Sequence, residues 1–236
     1  MDIHTKLKDQ RTFLLGGALF ALLLLCLSSV SAAEFGYDID RVLPDSNVKI
    51  NQDNVGMYAN TSHNGSNIVV NKKDDVEISN INIDNITINK NTGNIILRNI
   101  ICDVLIVENG GPSYIDILDS NIEKVIIRNI TCWSLLNYKC DIKNSNIDSL
   151  IIEDSRIPHD IRISFSYIGN MTLNNSSIHW LILQDHSNVI IEKGVGSTIN
   201  LVDVHNYSFT TIKKAVGSTI KLIDVYGRSN IQNELY

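Results

Sequence analysis

In the middle of the chain isoleucine returns every five residues. Ile117, Ile122, Ile127, Ile142, Ile147, Ile152 and Ile157 lie on one grid, which Cys132 and Asn137 share. One extra residue shifts the phase, and Ile163, Ile168, Leu173, Ile178 and Leu183 continue it. Two residues ahead of these positions stand small or apolar residues: Ser120, Ser145, Leu150, Ser155, Ile161, Ser166, Met171, Ser176 and Leu181. Polar residues fill the gaps, as in "DSNIEKVII" and "NSNIDSLII". A five-residue rhythm matches neither a 3.6-residue helix nor a half-buried strand of period two.

A longer echo contains the short one. "IEKGVGSTINLVDV", Ile191 to Val204, returns 21 residues later as "IKKAVGSTIKLIDV", Ile212 to Val225, with ten of fourteen positions identical. Four fives and an occasional insertion make about 21. A fixed period of this length predicts a solenoid in which each repeat is one coil, unable to bury its apolar side until neighbours stack on it. Grid residues and those two ahead of them then face inward, and the polar residues form the outside. Val76 to Arg228 holds roughly seven such coils, or a rod of about 35 Å at the strand-pairing distance. The expected fold is an all-β parallel β-helix, a β-solenoid of about 21 residues per coil.

The units "SNIDS", "SRIPH" and "SSIHW" resemble a degenerate pentapeptide repeat, with Ile where that family usually carries Leu or Phe. The chain is also similar to the Ile/Asn-rich adhesin-like β-helix proteins that methanogenic archaea export. Both likenesses cover most of residues 68–228. They imply a right-handed parallel β-helix displayed outside the cell, and they imply no active site.

Composition agrees with this picture. The chain has 37 Ile and 28 Asn among 236 residues but only three Pro. Ile favours pleated surfaces, and Asn favours tight corners and tolerates left-handed backbone. The net charge of −6 argues against nucleic acid as a partner, which requires a basic footprint.

At the N-terminus Lys6, Lys8 and Arg11 precede the apolar run Phe13 to Leu27, and small residues follow from Ser28 to Ala33. This pattern is either a signal peptide cleaved after Ala32 or Ala33, or an uncleaved signal anchor helix. The expected organisation is residues 1–33 as signal or anchor, 34–67 as cap or stalk, 68–228 as the β-helix, and 229–236 as tail. Export gives meaning to the Asn-x-Ser/Thr sequons at Asn60, Asn64, Asn85, Asn129, Asn170, Asn174, Asn175 and Asn206, the glycosylation candidates.

Candidate chemistry is sparse. Cys132 and Cys140 are the disulfide candidate in an oxidising compartment, with buried apolar filling as the alternative. Asp203 and Asp224 stand one period apart, so their carboxylates stack; a calcium ion or nearby lysines would offset the repulsion. "QDHS", Gln184 to Ser187, sets Asp, His and Ser side by side, whereas a catalytic triad requires convergence from separate positions. No G-x-S-x-G turn is present. Asp116 with Asp119, and Asp154 with Asp160, are the carboxylate pairs available for glycoside hydrolysis. Thr198 and Thr219 stack, but that register reaches back only to Ser177, too short for an ice-binding ladder. No catalytic residue, cofactor or metal is assigned. The expected function is a non-catalytic, adhesin-like surface module that contacts a cell-envelope or extracellular polymer or protein, touching a membrane only through its N-terminal segment. The alternative is a carbohydrate-active β-helix enzyme, for which the distinguishing feature is three or more acids with an aromatic on one lateral face.

Overall fold

The computed structural model describes residues 48–57, 59–62, 65–71, 73–131, 139–193, 196–213 and 218–234. The chain divides into a unit of residues 1–36 and a unit of residues 37–236, and every described residue belongs to the second. The signal or anchor segment therefore lies outside the described residues. Among those described, no helix is long and apolar enough to cross a membrane.

Strands β1 (Val48–Ile50), β2 (Ala59–Ser62), β3 (Gly65–Asn71), β4 (Val76–Asn82), β5 (Asn85–Asn89) and β6 (Asn94–Glu108) open the fold. β7 (Tyr114–Leu118), β8 (Asn121–Arg128), β9 (Lys139–Lys143), β10 (Asn146–Glu153), β11 (Arg156–Ser164) and β12 (Tyr167–Asn174) form its middle. β13 (Ser177–Gln184), β14 (Asn188–Lys193), β15 (Thr198–Val204), β16 (Phe209–Lys213), β17 (Thr219–Val225) and β18 (Asn230–Glu234) complete it. Nearly all pairings are parallel, and from β7 onward each strand pairs with the strand two places on, so two strands make one coil.

The fold is a parallel β-solenoid of about seven coils. Val76, Ile95, Ile115, Cys140, Ile161, Leu181, Val202 and Ile223 stack in one column. Ile68, Ile86, Leu105, Val125, Leu150, Met171, Ile191 and Ile212 stack in the other. Every described grid isoleucine and leucine is buried, as are the residues two ahead of them. Cys132 and Asn137 lie outside the described residues. The step between coils grows from 18 residues, Ile68 to Ile86, through 19 to 20, Leu105 to Val125. It is 20 or 21 from β9 and β10 onward, but in between Asn121 pairs with Asn146, a step of 25. The four additional residues fall between Thr131, which still contacts Gly110 at the usual spacing, and Lys139, which pairs with Tyr114.

The corners explain the serines and asparagines. The residues before corner serines Ser120, Ser145, Ser155 and Ser176 have left-handed backbone, Asp119 (φ 52°), Asn144 (φ 50°), Asp154 (φ 46°) and Asn175 (φ 47°), and Asn129 (φ 52°) turns the corner before Ile130; Asn and Asp are the types that tolerate this conformation best. These side chains also bond between coils: Asn144 Nδ2 donates to Asp119 Oδ1 at 3.0 Å, and Asn175 Nδ2 to Asp154 Oδ1 at 2.7 Å. The serine that follows is buried. Its hydroxyl accepts the amide of the previous coil's corner and donates to a nearby carbonyl. In this way Ser120, Ser145, Ser166, Ser187 and Ser208 donate in turn, through their amides, to Ser145, Ser166, Ser187, Ser208 and Ser229 at 3.1–3.4 Å. A second ladder runs through Ser155, Ser176, Ser197 and Ser218.

The two ends differ from the middle. β1 pairs with β4, and Val48 and Ile50 join the core. A 3-10 turn, Val55–Met57, leads to β2, which lies antiparallel on β3. β18, past the last grid position, still pairs in parallel with β16.

The ladder has a measurable consequence. Ser166→Ala removes the acceptor of the Ser145 amide and the donor to the Ser164 carbonyl. Leaving a buried amide unpaired costs about 1–3 kcal/mol. Chemical denaturation should show a lower midpoint with unchanged slope, and an unchanged midpoint would mean the hydroxyl is dispensable.

Candidate functional site

One lateral side of the rod, formed by β7, β9, β11 and β13 with the first part of β6, carries most of the outward-facing chemistry. Asp116 pairs in register with Asp141, Asp141 with Arg162, Lys139 with Asp160, and Asp160 with Trp180. Alternation along each strand aims these side chains outward while Ile115, Cys140, Ile161 and Leu181 between them face the core. Asp116, Asp141 and Asp160 thus share one face with Tyr114 and Trp180.

The charges largely neutralise each other. Lys139 Nζ lies 2.8 Å from Asp141 Oδ2, and Arg162 Nη2 lies 2.7 Å from Asp160 Oδ2, each pair within one strand. The hydrogen bond to Asp141 holds the Lys139 ammonium above its ordinary pKa. Burial pushes the Asp116 carboxyl up, Lys139 and Arg98 pull it down, and the Asp141 charge adds to the rise. On the second long side, Glu192 is held below its usual pKa by a hydrogen bond from Asn170 at 2.8 Å and by Lys213 at 3.0 Å.

β11 departs from the repeat at the edge of the charged face. Ile157 pairs with Ile178 and Asp160 with Trp180, so Pro158 and His159 together oppose the single residue His179. This bulge opens a groove of about 540 Å³ lined by Arg156, Pro158, His159, Asp160, His179, Trp180 and Asn200, among others. The indole of Trp180 is 42% exposed and stacks on the His179 ring at 5.4 Å with 21° between planes. Asn200 Nδ2 is 2.9 Å from His179 Nδ1 and fixes that ring. His159 Nε2 is withdrawn from solvent and has no hydrogen-bond partner among the described residues.

A third feature is an aromatic ladder at one corner. Phe165, His186 and Tyr207 stack at 6.4 Å and 5.2 Å, and the Arg228 guanidinium lies 5.9 Å from the Tyr207 ring centre. All three ring residues have left-handed backbone, at φ 50°, 65° and 64°. That conformation is costly for bulky side chains.

The residues singled out from sequence fall as follows. Asn129, Asn175 and Asn206 are exposed at left-handed corners, each donating through Nδ2 to the previous coil. Asn85, Asn170 and Asn174 are half-buried in strands and bonded to Asn67, Glu192 and Glu153. Asn60 lies in β2, and Asn64 lies outside the described residues. Cys140 is buried in the core column; its disulfide candidate Cys132 lies outside the described residues. Burial, with Asp103 adding to it, pushes the Cys102 thiol up to about 12, so it stays protonated.

Asp203 and Asp224 do stack in register. Among the described residues no three His, Cys, Asp or Glu side chains form a group suited to a metal. The "QDHS" side chains diverge: Asp185 accepts from Asn206, His186 joins the aromatic ladder, and the Ser187 hydroxyl is buried and bonded to main chain. The carboxylate pairs proposed from sequence divide between structural roles, because Asp119 and Asp154 are corner residues that accept from Asn144 and Asn175. The register instead sets Asp116 beside Asp141. Sequence reasoning missed that pairing because the 25-residue coil displaces it from the 21-residue offset.

No protein-family model, curated protein or solved structure matches the chain.

The Asp116 carboxyl yields a pH prediction. A carboxyl raised in the fold holds its proton longer there than in the unfolded chain, so stability falls as pH climbs from the ordinary carboxylate value through the raised one. Asp116→Asn removes this loss and the repulsion with Asp141, a gain on the order of 0.5 kcal/mol at neutral pH. Thermal denaturation should show the gain at neutral pH and none below the carboxylate range. A loss at neutral pH would instead assign Asp116 a net favourable contact with Lys139.

Proposed function

We propose that the chain is an exported, adhesin-like surface module, a right-handed β-helix that holds a cell-envelope or extracellular polymer or protein and catalyses no reaction. The carrying observation is the lateral face, where paired charges in register adjoin a groove with an exposed indole. A stiff solenoid presents such groups at fixed spacing, and many small contacts add along an extended partner. The apolar N-terminal run supplies export, as a cleaved signal or an anchor. Asn129, Asn175 and Asn206, exposed at corners, are the glycan carriers that fit this reading best.

A second reading is a carbohydrate-active enzyme, favoured by one observation: Asp116, Asp141 and Asp160 share a face with Tyr114 and Trp180. General acid–base work at a sugar needs one carboxyl free to hold a proton and another free to act as base or nucleophile. Asp141 and Asp160 are each tied to a cation in their own strand, and burial raises the carboxyl of Asp116. This arrangement favours binding.

Intact mass measurement on native protein from envelope and culture supernatant tests export. The expected mass is that of a chain starting at Ala33 or Glu34 plus glycan increments; a full-length unmodified chain found only in membranes would support an anchored rod and overturn the glycoprotein assignment. Purified protein should co-sediment with isolated envelope material without releasing new sugar ends from acidic or neutral polysaccharides. Release of such ends, abolished by Asp116→Asn, would establish the enzyme instead.

A further inference from the structure

The groove at the β11 bulge is more specific than the face beside it. Its charges do not cancel. Asp160 is committed to Arg162 at 2.7 Å, while Arg156 has no carboxylate within ion-pair reach among the described residues. On a chain of net charge −6, an uncommitted guanidinium beside two imidazoles makes this groove a local site for an anion. Its flat apolar element is the exposed Trp180 indole, held by the His179 stack and by Asn200 behind it. Its unsatisfied polar element is His159 Nε2, a buried atom that needs a hydroxyl or another polar partner.

An apolar ring face, a cation and polar atoms with unused bonding capacity define a ligand that has an apolar face, an acid group and hydroxyls. A volume of about 540 Å³ matches small-molecule sites and suits one or two sugar rings rather than a peptide helix or a flat protein surface. The geometry points to an acidic pyranose, a uronic acid unit of an extended glycan, bound with its ring on Trp180, its carboxylate on Arg156 and its hydroxyls toward His159 and Asn200. Arginine suits this role because its planar fork can take both carboxylate oxygens. The bulge shapes the groove: Pro158 and His159 together oppose the single residue His179, while Arg156 keeps its register with Ser177 at the groove's edge. This assignment rests on the surface-binding reading and gives it a ligand class.

The full chain should be titrated calorimetrically with a polygalacturonate oligosaccharide and with a neutral cello-oligosaccharide of equal length. The acidic oligosaccharide is expected to bind more tightly. Trp180→Ala should weaken it roughly tenfold or more, since it removes the ring face on which the pyranose lies. Trp180→Phe should retain part of the binding and guards against a folding defect. Arg156→Gln should bring the acidic ligand down to the neutral one. Equal binding of the two ligands by the native chain, or binding indifferent to Trp180→Ala, overturns the assignment. Co-sedimentation with envelope material separates the two readings. If envelope binding persists without oligosaccharide binding, the groove assignment alone fails; if neither occurs, the surface-binding reading fails with it.

Discussion

The hydroxyl of the corner serine is the constraint on which the rod depends. A solenoid turns its chain at every corner, and a turn breaks the ladder that satisfies amides along the straight runs. An unpaired amide in the core costs as much as a lost hydrogen bond. Serine resolves this in a volume small enough for the interior: Ser145, for example, accepts from Ser120 and donates to the Lys143 carbonyl. Alanine would fit but leave the amide bare, and threonine would add a methyl group to a packed corner. The left-handed residue in front makes the turn, which is why Asn and Asp precede so many of these serines.

Once the corners are fixed, register propagates. Stacked coils place like residues over like, so isoleucine columns close the core and Asn/Asp columns bond along the outside. The same rule stacks like charges, and the chain answers both within a strand, Lys139 with Asp141 and Asp160 with Arg162, and between strands, Arg128 with Glu108 and Lys213 with Glu192. Exposed pairs of this kind contribute little to stability. Their consequence is a face whose charges are positioned and largely spent, so the distinctive chemistry must come from places where the repeat is broken.

Much of this architecture was legible in the sequence. The five-residue grid identified the buried isoleucines, and the small residues ahead of them proved to be the ladder serines. The echo at 21 residues placed Asp203 on Asp224 and Thr198 on Thr219. The lateral site was not legible, for a physical reason. Four additional residues before Lys139 shift every later position against the earlier coils, so Asp116 and Asp141 looked unrelated. The groove was hidden similarly, since a one-residue bulge at Pro158 and His159 cannot be told from a phase shift without the partner strand. Periodicity reports what repeats, and a binding site on a solenoid is a departure from repetition.

The aromatic ladder shows how far the repeat tolerates departure. At the corner where Asp119 and Asn144 sit on successive coils, the next rungs carry Phe165, His186 and Tyr207, still in left-handed conformation. No Asx bond compensates for those bulky side chains; the compensation is ring stacking, continued by the Arg228 guanidinium. Aromatic pairs contribute about 0.5–1.5 kcal/mol beyond burial, comparable to the roughly 1–2 kcal/mol that a left-handed backbone costs an ordinary residue. A stack can therefore replace an amide ladder only if it runs over consecutive coils, since an isolated ring would bear the strain without a neighbour. Three rings and a cation in succession meet that condition. The corner thus has two interchangeable solutions, one polar and one aromatic, and the second leaves exposed ring edges on a surface otherwise lined with amides.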